Sequence, residues 1–408
     1  MPGLTKAQLK LVEAAEHSFD RTYAAQYGEE RWKNSLRPAL LKNTRYAMLV
    51  NRYQAAEIPN GGVFTDDDRE NLQAIDFFPP PDGKGSASPT STVNQQPPRL
   101  IAYKRGDLVV DASQQQQQHP VSADEPFPPP KVTIAQDGSK GLMTHWNLDA
   151  VSLLPRPLTQ PSPVRQGPGP LRRARRQEPR AGAAPPPAHH RQPGRAHPDA
   201  PTLAGGCLHS NEVDSARHKR LAANLEAYLP AALLQRGDVK VLKLDGADPL
   251  ATFSLPRRAG GYDKVLLDAP CSSERHVLHA HVRARQAGRI ADEMALWRSG
   301  QSKKTAKVQA ALLMTALRAV KVGGRVVYAT CSLSCEENDG VVEKGREPVQ
   351  KDRKKLGIKW DVRVVREEEE MLDSWAERTK HGWIVLPDHP SGGRWGPLFF
   401  AILEKIPA

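Results

Sequence analysis

Long apolar runs are missing from this chain of 408 residues. None reaches eighteen residues, so a membrane span is not expected. Cysteine is scarce: Cys207, Cys271, Cys331 and Cys335 are too few for a disulfide framework at this length, which points to a reducing compartment. No CxxC pair occurs, so no zinc site, and no metal, is expected. The opening stretch MPGLTKAQLKLVEAAEHSFD shows neither a signal-peptide apolar core nor the Arg- and Ser-rich, acid-poor character of a transit peptide. Against these absences stand 39% hydrophobic and 25% charged residues, enough for a substantial core in two domains or in one extended one. The 36 prolines exceed what one compact fold uses and imply linkers. A net charge of +12 suggests a nucleic-acid partner, but residues 155–203 alone contribute +7 of it, leaving the remainder mildly basic.

Residues 1–57 read as a helical N-terminal region. Leu9, Val12, Phe19 and Tyr23 recur at helical spacing, and RPALLKNTRYAMLVNRY, with Leu40, Leu41, Tyr46, Met48 and Leu49, predicts a second helix. Residues 58–140 read as a mobile linker, with PPPDGKGSASPTSTVNQQPP, five glutamines at 114–118, and a strand-like island, IAYKRGDLVV, at 101–110. Beyond residue 141 the pattern becomes α/β. GCLHSNEVD, VKVLKLDG, DKVLLDAPC and GGRVVYATCSL are strands, SARHKRLAANLEAYL and TAKVQAALLMTALRAV are helices, and GWIVLPD with PLFFAILEK predicts a closing antiparallel hairpin. In such largely parallel sheets ligands sit beyond the carboxyl ends of the strands. Here those ends carry Glu212, Asp245, Asp268 and Cys331.

Two of those ends suit one difficult reaction. Carbon 5 of cytosine is a poor nucleophile, and a thiolate adding to carbon 6 makes it enamine-like. Such a site needs a nucleophilic cysteine, a carboxyl to steady the ring and a base for the carbon-5 proton. DAPCSSERH (268–276) and YATCSLSCEEN (328–338) resemble the paired motifs of the Sun-domain RNA 5-methylcytosine methyltransferases. SERHVLH, LDAVSLLP and RWGPLFFAILEK look most like the mitochondrial branch, which includes a ribosomal-RNA enzyme. The resemblance covers residues 145–154 and 205–405 well and FDRTYAAQYGEERWKNSLRPAL more loosely.

The resemblance implies a Rossmann-like class I methyltransferase fold over residues 141–408, using S-adenosyl-L-methionine and acting on rRNA or tRNA. It makes Cys331 the nucleophile, Cys271 the residue that assists release, and Asp268 the carboxyl facing donor and base. Glu212 would grip the donor ribose, Arg217 would touch the donor, and Asp245 and Gly246 would border the adenine. A mitochondrial location and a ribosome-assembly partner protein follow from the resemblance alone. Each cysteine taken singly also fits a small buried hydrophobe, which is how Cys207 and Cys335 are read.

One family element is absent. The loop after strand one reads Asp-Leu-Cys-Ala-Ala-Pro-Gly-Gly-Lys in relatives, and its glycines let backbone approach the methionine end of the donor. Here residues 155–203 hold 13 Pro and 9 Arg, with no Lys, Ile, Phe or Tyr, and cannot form a buried central strand. A basic RNA-binding insert is one explanation. The genetic code offers another. With free third bases, the codons of GPGPLRRARRQE (167–178), read one base later, can encode Val-Leu-Asp-Leu-Cys-Ala-Ala-Pro-Gly-Gly-Lys-Ser. Residues 156–204 are accordingly read as a frame-shifted, non-native segment, and the nucleotide sequence decides the matter.

Overall fold

The structure is a computed structural model that describes residues 5–51, 53, 72–75, 102–105, 127–134, 140–149, 152, 206–256, 260–366 and 372–408. The Pro- and Arg-rich stretch 155–203 and most of the expected linker lie outside the described residues.

Helix α1 (Lys6–Tyr27) begins with a capping box in which Gln8 N–H donates to Thr5 Oγ1 and Thr5 N–H to Gln8 Oε1, so two of the end's orphan donors are satisfied. Its buried stripe is Val12, Ala15, Phe19 and Tyr23, the helical spacing that the sequence shows. A π-helical turn (Trp32–Leu36) leads into the short helix α2 (Arg37–Leu41). Here one expectation is corrected. The second helix predicted to continue through Tyr53 ends at Leu41, and Tyr46–Val50 is a strand, β1. Four consecutive residues of β1 are buried, and a short run buried on both faces carries no period that separates strand from helix. Strands β2 (Leu72–Ala74) and β3 (Ala102–Arg105), the latter inside the strand-like island, join β1 and β6 (His145–Asp149) in an antiparallel sheet ordered β2-β3-β1-β6. A small ribbon of β4 (Val132–Ile134) and β5 (Lys140–Met143) lies between β3 and β6 in the chain.

The α/β part follows. Strand β7 (Leu208–Asn211), helix α3 (Ser215–Tyr228) and strand β8 (Val239–Leu242) form a right-ordered unit in which β7 and β8 pair in parallel. Strand β9 (Tyr262–Asp268), helices α4 (Glu274–Gln286) and α5 (Gln301–Ala319), strand β10 (Val320–Thr330) and helix α6 (Asp339–Lys351) come next. Strands β11 (Trp360–Val364), β12 (Glu377–Arg378), β13 (Trp383–Val385) and β14 (Leu398–Pro407) complete the chain. Strand β10 is parallel to β9 and antiparallel to β14, and β13 and β11 share the far edge of β14. The closing hairpin expected from GWIVLPD and PLFFAILEK is present as β13 and β14.

One face of this sheet packs Val326, Tyr328, Phe399 and Leu403 against Phe19 and Tyr23 of α1, Leu278 of α4, Leu313 and Leu317 of α5 and Val342 of α6. The other packs Val327, Ala329, Phe400 and Ile402 against Trp375, Trp383 and the β1 residues Ala47 and Leu49. Covered on both sides, β10 is buried from Arg325 to Thr330, as the near-continuous apolar run of a central strand requires. Among the described residues no helix is long and apolar enough to cross a membrane.

Among the described residues the sheet has a gap. Strand β7 pairs with β8 and β9 pairs with β10, but among the described residues no strand joins β7 to β9. Side chains meet there instead, with His209 Nδ1 2.7 Å from the Tyr262 hydroxyl. Leu208 on β7 and Leu266 on β9 are 45% and 47% exposed, more than a strand inside a covered sheet permits.

Candidate active site

Parallel pairing places the loops after β9 and β10 side by side, because Asp268 is in register with Ala329 and the ladder ends with Ala269 N–H donating to Ala329 O at 3.0 Å. Past that point the two cysteines converge, with Cys271 Sγ 3.0 Å from Cys331 Sγ. Cys331 is exposed and Cys271 half-buried. Ser273 stands between them, its Oγ 2.9 Å from Cys331 Sγ and 3.5 Å from Cys271 Sγ. Ser273 takes this position in the left-handed region at φ 49°, which costs a non-glycine residue about 1 kcal/mol. Strain of this kind at a loop that presents reactive groups is a reason to look for function.

The electrostatics separate the two thiols. Cys331 is held below the ordinary thiol value, first because Cys271 donates to it and then because Ser273 does, against an opposing effect of burial. Cys271 is pushed far up by the same contact and by burial, so it stays a protonated donor. Asp268 remains open on one side of the sheet, while the protein packed around its carboxyl raises it above the usual carboxylate range by desolvation. One result follows directly. Iodoacetamide is expected to label Cys331 about tenfold or more faster than Cys271 near neutral pH, because the thiolate is the reacting species. Peptide mapping over a pH series checks this: Cys331 should level off below the ordinary thiol range, and Ser273→Ala should move that midpoint upward. Equal labelling of both cysteines at every pH would remove the assignment.

Two fully buried carboxylates, Glu274 and Glu337, line the loops behind the sulfurs. Glu274 accepts from Ser332 Oγ at 3.1 Å, from Leu333 N–H at 2.9 Å and from the Tyr23 hydroxyl at 2.6 Å. Glu337 accepts from Ser272 N–H at 3.0 Å, from the Ser272 hydroxyl, and from Gln309 Nε2 at 3.0 Å. Helix α1 reaches the same place, with the Tyr27 hydroxyl donating to Leu333 O at 2.8 Å and Cys335 N–H donating to Gln26 Oε1 at 3.2 Å. Sequence reasoning missed Ser273, Glu274, Glu337, Gln309, Tyr23, Gln26 and Tyr27. The two glutamates and Ser273 stand within the quoted cysteine motifs and could have been flagged as charges expected to be buried. The α1 residues could not, since their contacts span some 250 to 310 positions of chain.

The other expected residues cluster on the β7–β8 piece. Glu212, at the end of β7, accepts from Asp214 N–H at 2.8 Å and from the Arg217 guanidinium at 3.1 Å. Arg217 is largely exposed, so this pair adds little stability but presents a carboxylate and a cation at one strand end. Asp245 follows β8 and closes a turn by accepting from Ala247 N–H at 2.9 Å. A Cβ on Gly246 would stand 2.8 Å from Leu312 Cδ2 on α5, so this loop lies close against that helix and a side chain there would have to displace the leucine methyl. Cys271, Cys331 and Asp268 are thus brought together, and Glu212, Arg217, Asp245 and Gly246 form a second group at adjacent strand ends. Among the described residues no three His, Cys, Asp or Glu side chains converge to hold a metal ion.

An acid after each of two parallel strands and paired cysteines after the next two place all these groups at the carboxyl edge of a Rossmann-like α/β sheet, where such folds bind ligands. Residues 202–355 match the family described as 16S rRNA methyltransferase RsmB/F. Both cysteine loops and the β7–β8 strand ends lie within the matched residues. It is 27% identical to the 5-cytosine rRNA methyltransferase NSUN4 of Mus musculus over 99% of this chain and 91% of the mouse protein. It is 34% identical to the mitochondrial tRNA (cytosine(34)-C(5))-methyltransferase of Danio rerio over 50% of each chain. Glu212 and Asp245 present carboxylate acceptors at adjacent strand ends, the chemistry that ribose hydroxyls and an adenine amino group take. The wall expected from strand one lies outside the described residues.

Proposed function

We propose that this protein methylates carbon 5 of cytosine in RNA through a transient bond between Cys331 and carbon 6 of the base. The observation that carries the reading is the contact of two thiols after adjacent parallel strands, Cys331 exposed and Cys271 Sγ 3.0 Å from it. S-adenosylmethionine, when bound, supplies an electrophilic methyl group. Cys331 adds to carbon 6, and the electron pair released to carbon 5 takes the methyl. A base then removes the carbon-5 proton, the carbon 5–carbon 6 double bond re-forms and the thiolate departs. Cys271, at 3.0 Å, receives the leaving sulfur as a hydrogen-bond donor. Asp268, raised by desolvation and open to the site, is suited to bind the ring nitrogens. Glu212, Arg217, Asp245 and Gly246 hold the donor. The cytosine must be unstacked to reach Cys331.

The names of the relatives support ribosomal RNA as substrate, with transfer RNA as the alternative, and a mitochondrial location. A protein partner that supplies RNA affinity fits the modest charge outside residues 155–203. Once the shifted-frame segment is restored, Cys271→Ser is expected to accumulate a covalent protein–RNA adduct, seen as a slow band on denaturing gels, that Cys331→Ser does not form. Absence of the adduct in Cys271→Ser would sink the release role. A second reading follows from residues 155–203, which hold no strand-forming run: a chain that is real as written would be a donor-free RNA-binding or ribosome-assembly protein on this scaffold.

A further inference from the structure

The β9–β10 ladder ends at Ala269 and Ala329, yet the sulfurs that must act on one base lie two residues beyond it. No bond between the loops' main chains continues the ladder to Cys271 and Cys331. Side chains take its place, and they do so reciprocally. Glu274, three residues after Cys271, binds the loop of Cys331 through Ser332 Oγ and Leu333 N–H. Glu337, six residues after Cys331, binds the loop of Cys271 through both the backbone and the hydroxyl of Ser272. Each carboxylate therefore grips the residue directly following the partner cysteine. Gln309 of α5 closes the arrangement by donating from one Nε2 to Glu337 Oε2 at 3.0 Å and to Pro270 O at 2.8 Å.

Burying two acids side by side is unfavourable unless each is well hydrogen-bonded, and an apolar pair would hold a core as firmly. What apolar groups cannot do is fix two loops in one register by directed bonds.

We propose that Glu274 and Glu337 are positioning residues, a reciprocal clamp that keeps Cys271 and Cys331 at contact distance. The inference rests on the proposed two-cysteine chemistry for its purpose, but its test needs neither donor nor RNA.

Phenylarsine oxide reads the geometry. It condenses with two thiols, forming two arsenic–sulfur bonds while its oxygen leaves as water, and a close pair captures it far more tightly than a single thiol because the second bond forms intramolecularly. The full chain should take up one equivalent, protecting Cys271 and Cys331 together from iodoacetamide in peptide maps. Glu337→Ala and Glu274→Ala are expected to weaken this capture about tenfold or more, the loss of one directed link at each loop. Glu337→Gln should stay within about threefold of the parent, because its amide oxygen still accepts from Ser272 N–H. That rescue separates positioning from charge. If an alanine variant does not fold, Ser272→Ala and Ser332→Ala remove the hydroxyl bond from each contact and should show a smaller weakening of capture of the same sign. Undiminished capture in the folded variants overturns the clamp. Capture that weakens as described, in a protein whose methylation survives Cys331→Ser, would instead overturn the catalytic reading and leave the clamp standing.

Discussion

Changing Cys331 to serine, in a chain whose residues 156–204 are replaced by the shifted-frame segment, is expected to lower methyl transfer to RNA by about 10⁴-fold or more, the scale on which a covalent nucleophile is lost. A hydroxyl at this place has the right shape and the wrong chemistry. Cys271 and Ser273 lower a thiol toward its anion by hydrogen bonding, and an alcohol starts too many units higher for the same two donors to ionise it. Binding should survive, since Cys331 is one exposed atom of a wide edge. Transfer of a labelled methyl group to RNA, measured beside RNA affinity, checks both halves. A serine variant with full transfer would remove the nucleophile.

The second large effect concerns the donor. The chain as written is expected to bind S-adenosylmethionine about 100-fold or more weakly than the restored chain, which corresponds to the loss of some three hydrogen bonds at about 1 kcal/mol each. In the proposed site Glu212 and Asp245 border one side of the donor, and the side owed to strand one has no partner among the described residues. Backbone amides of a glycine loop are what that side would supply, and a Pro- and Arg-rich segment has fewer N–H groups and no glycine pair to bring them close. Titration calorimetry on both chains decides it. Micromolar affinity in the chain as written would mean that the donor site is intact without that loop.

Much of this molecule could be read from residues alone, and the parts that could not share a physical cause. Strands ending in Glu212, Asp245, Asp268 and Cys331 were legible because β9 and β10 are apolar runs that stop at a polar residue and a turn. The adjacency of Cys271 and Cys331 was legible through the paired motifs, though the 3.0 Å contact was not. Strand β1 was misread as helix because Ala47 to Val50 are buried without a period. The sheet of β1, β2, β3 and β6 was invisible for the reason that makes antiparallel sheets hard in general: its pairs join residues 46–50 to 145–149, across a proline-rich span with no local signal. The α1 contacts to the site were hidden likewise. Tyr23 shows helical spacing in the sequence and is buried in the core, but its hydroxyl also ends on Glu274. Buried tyrosines usually find such a partner for the polar tip, and sequence does not say which.

Among the described residues no strand lies between the edges of β7 and β9, and strand edges of that kind pair with whatever strand arrives first, neighbouring copies of the same polypeptide included. Leu208, Leu266 and Phe253, all left accessible, would make such encounters adhesive. How much of the protein a cell keeps in solution would then depend on chaperone capacity before any question of catalysis arises.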